Sequence, residues 1–128
     1  FCTAALEAWL PVNPDYQNGV NVASQEEEPD SLINFYKRLL RLRKESPALI
    51  EGDYKEIALA NENVLGFTRV SEHQKIAVIL NLGDGMENVH LPDLCHLSHI
   101  CSNDDGIPAR QNSTLVLGKY QGLIFSFE

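Results

Sequence analysis

The residues able to do chemistry are scattered along this chain. Its 18 acidic side chains against 10 basic ones leave a net charge of −8. Paired carboxylates, one serving as acid and the other as nucleophile or base, are the usual equipment for cleaving a glycosidic bond. Here they fall in one run, Glu26-Glu27-Glu28-Pro29-Asp30, or at turns such as Asp84, Asp104 and Asp105. No apolar setting buries one acid while exposing a neighbour, so no internal catalytic pair is expected.

The other candidates fare no better. His96 and His99 could share a helix face, or sit on opposite faces of a strand, but no acid or cysteine stands at metal spacing from them. His73 lies in a turn and His90 stands alone. Cys2, Cys95 and Cys101 are odd in number and include no CxxC pair. A hairpin bridge between Cys95 and Cys101 stays open beside the plainer reading as buried free thiols. No glycine-rich phosphate loop, nucleophile elbow or zinc signature occurs, and Asn81-Leu82-Gly83-Asp84-Gly85 reads as a strand ending in a turn. No cofactor and no metal are therefore expected. Asn112-Ser113-Thr114 is an N-glycosylation acceptor that matters only in a secreted protein. Trp9, Tyr16 and Tyr120 have faces on which sugars can stack, although aromatic packing at a domain seam is the simpler account.

The elements that would position these residues begin with a helix over 29–46. Leu32, Ile33, Phe35, Tyr36, Leu39, Leu40 and Leu42 recur at three- and four-residue steps, which gathers them on a broad apolar face suited to burial between two layers. Acids crowd its amino end, while Lys37, Arg38, Arg41, Arg43 and Lys44 fill its carboxyl half, the arrangement a helix dipole favours. Pro29 suits a first helical position, and Pro47 disfavours a helical Ser46. Four of these cations point away from the apolar face. Arg43 falls within it, near Tyr36 and Leu39, and is expected to find an ion pair or a carbonyl cap.

Residues 1–28 read as irregular coil, with turn signals at Asn13-Pro14-Asp15 and Asn18-Gly19. Beyond the helix the apolar period falls from 3.6 to 2. Strands are expected over 54–60, 64–70, 75–82, 86–91, 94–101, 113–117 and 122–127, with a polar loop over 102–112. Seven short strands at this spacing point to an antiparallel β-sandwich with Greek-key connections. The unbroken run Ile76-Ala77-Val78-Ile79-Leu80 should form its central strand, covered on both faces.

With 128 residues, 44% of them hydrophobic, the chain can bury one ordinary core. The acidic balance argues against a nucleic-acid or anionic-membrane partner, because phosphate binding needs excess cations. No apolar run is long enough for a transmembrane helix. Residues 1–13 carry no basic leader, and Phe1 is no initiator, so the chain is expected to be processed or cut from a longer parent. Its compartment is left unknown.

One further pattern spans nearly the whole chain in order. It comprises Trp9-Leu10-Pro11-Val12-Asn13-Pro14-Asp15-Tyr16, Asn21-Val22, Gln25, Pro29-Asp30-Ser31, Phe35-Tyr36-Lys37-Arg38-Leu39 and Leu42-Arg43-Lys44. After these come Gly52-Asp53-Tyr54, Val64-Leu65-Gly66-Phe67-Thr68-Arg69, Val78-Ile79-Leu80-Asn81-Leu82-Gly83 and Tyr120-Gln121-Gly122-Leu123. This resembles the carboxy-terminal portion of α-glucosidases of the oligo-1,6-glucosidase and maltase type, in the α-amylase superfamily. The resemblance implies that residues 1–50 end a (β/α)8 barrel, with helix 29–46 as its last helix, and that residues 51–128 form a carboxy-terminal sandwich. It implies a parent that is a retaining enzyme acting on short α-glucosides, whose catalytic carboxylates lie upstream and cannot be carried over.

On that basis the partner is the barrel of the same parent, and α-glucosides are met only through it. Trp9, Tyr36, Leu39 and Arg43 are structural residues, and Asn112 is the one modification candidate. Leu6-Glu7-Ala8 departs from the Gly-Lys/Thr-Pro sort of sequence usual before the Trp, so the backbone there is expected to differ. Two other parents fit less of the pattern: a glycosidase-like heavy subunit of an amino-acid transporter, and a free-standing sugar-binding sandwich.

Overall fold

A computed structural model of the chain describes residues 10–92, 96–104, 106 and 109–127. It divides into two units, Phe1–Arg41 and Leu42–Glu128.

In the first unit short helices stand where sequence alone suggests coil. A 3-10 helix spans Pro14–Asn18, with the Asn13 side chain accepting from the Asp15 amide and Gly19 closing it at φ 88°. The second helix, α1 (Val22–Glu27), is capped by Asn21, whose Oδ1 accepts from the Ser24 amide at 2.8 Å. Asn and Ser favour such turns and caps because their short side chains satisfy amides that a helix leaves open. Periodicity cannot reveal elements this short.

The long helix, α2, runs Leu32–Glu45 and starts later than expected. Pro29 and Asp30 lie ahead of it in a turn, and no acid occupies its first turn, so the amino-terminal half of the charge argument fails. Ser31 does the capping instead: its Oγ accepts from the Asn34 amide at 3.2 Å. Arg43 and Lys44 do sit in the last turn, where the dipole favours cations. The larger correction concerns the apolar face. No residue of α2 is buried, and Leu32, Tyr36 and Leu40 are 64%, 59% and 62% exposed.

The second unit is mainly β. Ser46 is extended, and Pro47 starts a short α3 (Pro47–Glu51) instead of merely ending α2. Eight strands follow among the described residues: β1 (Asp53–Glu56), β2 (Val64–Val70), β3 (Lys75–Asn81), β4 (Glu87–His90), β5 (Leu97–Ser102), β6 (Ala109–Gln111), β7 (Thr114–Leu117) and β8 (Gly122–Phe127). One antiparallel sheet has the order β1-β2-β3-β8-β5 and the other the order β4-β7-β6. Three exposed residues make up β6, which explains why the expected polar loop over 102–112 hid a strand. The strand expected from Tyr54 to Ala60 ends at Glu56, after which Ile57 and Leu59 pack against the core.

Strand β3 is the middle of the larger sheet, and alternation sends its side chains to two cores. Ala77 and Ile79 join Val64, Leu97, Leu123 and Phe125, and meet Val89, Leu115 and Leu117 of the smaller sheet in one cluster. Ile76 and Val78 point the other way and are covered by Ala48 of α3. The far end of β3 is tied by Asn81, 2% exposed, whose Nδ2 donates to the carbonyls of Gly85 at 2.8 Å and Gly118 at 2.7 Å. Its Oδ1 accepts from the Gly83 amide, so one amide side chain satisfies three backbone groups of the surrounding turns.

Candidate functional site

Within the first unit the polar groups serve architecture. Asn34 Nδ2 donates to the carbonyls of Gln25, Glu26 and Glu28 at 3.0, 3.2 and 2.8 Å, which closes the open end of α1. Lys37 Nζ meets Glu26 Oε1 at 2.8 Å, and Arg38 Nη1 donates to the Pro29 carbonyl at 2.9 Å. The acidic lead-in is therefore partly consumed by cations of α2. Tyr16, Asn21, Val22, Ala23 and Glu26 line a shallow hollow of about 570 Å³. Tyr16 is 37% exposed, and its hydroxyl accepts from Gln17 Nε2 at 2.9 Å.

The expected structural residues are placed as follows. Arg43 is exposed, and its Nη1 donates to the carbonyl of Leu49 at 2.9 Å, an acceptor in α3 and not in the last turn of its own helix. Tyr36 is exposed, Leu39 is half-buried, and Trp9 lies outside the described residues. Asn112 is exposed at the turn between β6 and β7 with φ 54°, a left-handed conformation that Asn tolerates better than most residues. Cys101 is a half-buried free thiol, while Cys2 and Cys95 lie outside the described residues.

None of the described carboxylates has the setting of a general acid, which needs its proton held above the ordinary carboxylate range. Glu87 is displaced in the opposite sense. Asn61 Nδ2 donates to its Oε2 at 2.7 Å and Asn63 Nδ2 to its Oε1 at 2.8 Å, and these bonds lower its pKa. Asp104 takes two bonds from Gln121 Nε2, at 2.9 and 2.8 Å. Both carboxylates tie loops to strands. Among the described residues no His, Cys, Asp and Glu side chains cluster as metal ligands.

Two groups escaped the sequence reading. Asn61-Glu62-Asn63 registers there only as a separator between strands, although its two amides clamp Glu87. Arg69 of β2 sits between apolar positions, and its Nε is buried without a hydrogen-bond partner. The alternation Leu65, Phe67, Arg69 was the available signal, since it puts a guanidinium on an otherwise apolar face.

Comparison with known proteins gives this arrangement its context. A family model described as the catalytic domain of α-amylase matches residues 1–52. An oligo-1,6-glucosidase of Parageobacillus thermoglucosidasius is 33% identical over 85 residues, 66% of this chain and 15% of that protein. An α-glucosidase of Saccharomyces cerevisiae is 30% identical over 123 residues, 94% of this chain and 20% of its own length. In three dimensions the chain is similar to the isomaltulose synthase SmuA from Protaminobacter rubrum, with TM-score 0.79 and 32% identity. That match covers 94% of this chain and 22% of the synthase. The chain thus spans a fifth or less of the curated relatives just named.

Proposed function

From a chain that belongs to the α-amylase superfamily, among its oligo-1,6-glucosidases and α-glucosidases, we propose that it is the carboxy-terminal region of an α-glucosidase. In this reading α2 is the last helix of a (β/α)8 barrel. The strands form an antiparallel Greek-key sandwich that braces the barrel, and this region performs no bond chemistry itself. The parent hydrolyses short α-glucosides with retention, using carboxylates supplied upstream of Phe1.

One observation carries the proposal. The catalytic-domain match stops at residue 52, where α3 gives way to β1 and the helical part of the chain ends. The uncovered apolar face of α2 supports it, because Leu32, Tyr36 and Leu40 have the side-chain types of a packing surface. So does the lowered pKa of Glu87, which suits a structural tie and not an acid catalyst.

The test uses the full-length parent with a chromogenic α-glucoside. Hydrolysis is expected from the parent and none from the 128-residue polypeptide alone. Turnover by the polypeptide alone, or an inactive parent in a folded state, overturns the reading.

A further inference from the structure

The larger sheet has an outer face that α3 covers only in part. Odd-numbered residues of β2 and even-numbered residues of β3 and β8 point to it. Ala48 caps the end where Ile76 and Val78 lie, while Phe67, Leu80 and Ile124 remain half-buried. Leu65 is 36% exposed and Tyr54 is 58% exposed, with the Tyr54 and Phe67 rings 5.2 Å apart. A charged side chain sits within this apolar surface. Arg69 lies opposite Tyr54 on one side and Ile76 on the other, and its Nε is buried without a partner.

A guanidinium cannot shed its charge and has five N–H groups to satisfy. The ion pairs among the described residues are Lys37 with Glu26 and His73 with Glu72, and neither involves Arg69. Glu56, on the same face of β1 and opposite Phe67, makes no ion pair with it. Buried polar groups in folded proteins are rarely left unpaired, and an exception marks a missing acceptor. Arg recognises carboxylates through its rigid fork, and an apolar surround strengthens that pairing.

We propose that this outer sheet face is the docking surface for the polypeptide that precedes this chain in its parent, and that a carboxylate of that polypeptide pairs with Arg69. The proposal rests on the reading of the chain as a carboxy-terminal region. It adds the face used and the chemistry of recognition. Two observations choose the occupant. The relatives are five or more times the length of the matched segment, so the covering polypeptide is available within one chain. A cation framed by apolar side chains selects a surface that is apolar with a single acid, not a polar or cationic one.

The experiment uses the folded full-length parent carrying Arg69→Lys, which keeps the charge and introduces an amine that a zero-length carbodiimide can couple to a touching carboxylate. Peptide mapping is expected to recover a cross-link from position 69 to an Asp or Glu upstream of Phe1. A link only to acids within residues 1–128, or no link, overturns the proposal. In the unmodified parent, phenylglyoxal should modify Arg69 at least tenfold more slowly than in the urea-unfolded protein, and comparable rates also overturn it. Hydrolysis of the chromogenic α-glucoside is read separately. A cross-link without hydrolysis sinks the α-glucosidase reading and keeps the interface, and hydrolysis without a cross-link does the reverse.

Discussion

Helix α2 and the β-strand unit contain comparable apolar side chains, yet they treat them in opposite ways. The strands enclose Ile76, Ile79, Leu115, Leu117, Leu123 and Phe125 completely, whereas α2 buries nothing. The strand unit has two sheets and can close a core between them. A lone amphipathic helix has no second layer, so its stability has to come from whatever it packs against. The strand unit is built to hold itself together, and the helix is built to be completed by something else.

The largest expected effect tests that contrast directly. Phe125→Ala removes a wholly buried ring and should cost about 3–5 kcal/mol in urea unfolding of the polypeptide. Leu40→Ala, at a side chain 62% exposed, should change it by no more than about 0.5 kcal/mol. Equal losses at the two positions would erase the distinction.

A somewhat smaller effect sharpens the account of how α3 meets the strands. A Cβ added at Gly52 would stand 2.5 Å from the Ala48 carbonyl oxygen and 2.9 Å from the Val70 backbone. Neither neighbour can swing away, so Gly52→Ala should destabilise by roughly 1–3 kcal/mol, visible as a lower thermal midpoint. An unchanged midpoint would mean that α3 is less tightly seated than the contacts indicate.

The Glu87 clamp sets a pH signature on the strand unit alone. Its folded pKa lies below the ordinary value of 4.5 because Asn61 and Asn63 donate to the ionised form. The group therefore contributes its full stabilisation above that ordinary value and loses it as pH falls through the depressed one. Thermal midpoints measured from pH 6 down to 3 should fall more gently for Glu87→Gln than for the natural chain. Parallel curves would show that the clamp is absent in solution.

The smallest effect belongs to the helical region. Lys37 and Glu26 pair with both side chains about half exposed, so Lys37→Ala should shift stability by about 0.5 kcal/mol or less, and less still in high salt.

How much of this was readable in advance follows from length and period. Strands β2, β3, β7 and β8 announce themselves because each repeats its pattern over enough residues, and the apolar run of β3 implies burial on both faces. Helix α2 was legible for the same reason, but the fate of its apolar face was not. Periodicity identifies a face without saying what covers it. The short elements, α1, the 3-10 helix and β6, are set by caps and hairpin pairing and leave no periodic trace. Arg69 and the Asn61–Glu87–Asn63 clamp depend on which strands become neighbours, a property of topology. Asn81 reads as the end of an apolar strand, and only the folded turns reveal the three backbone groups it serves.

Strand β1 forms one border of the larger sheet, and all four of its residues, Asp53, Tyr54, Lys55 and Glu56, are exposed. Its free backbone groups would offer a template to another extended chain. Alternating charge along so short a border makes that addition costly, since an incoming strand would have to desolvate an acid or an amine at nearly every step. The protein is thereby guarded against end-on stacking into fibrils at the margin where its sheet would otherwise grow.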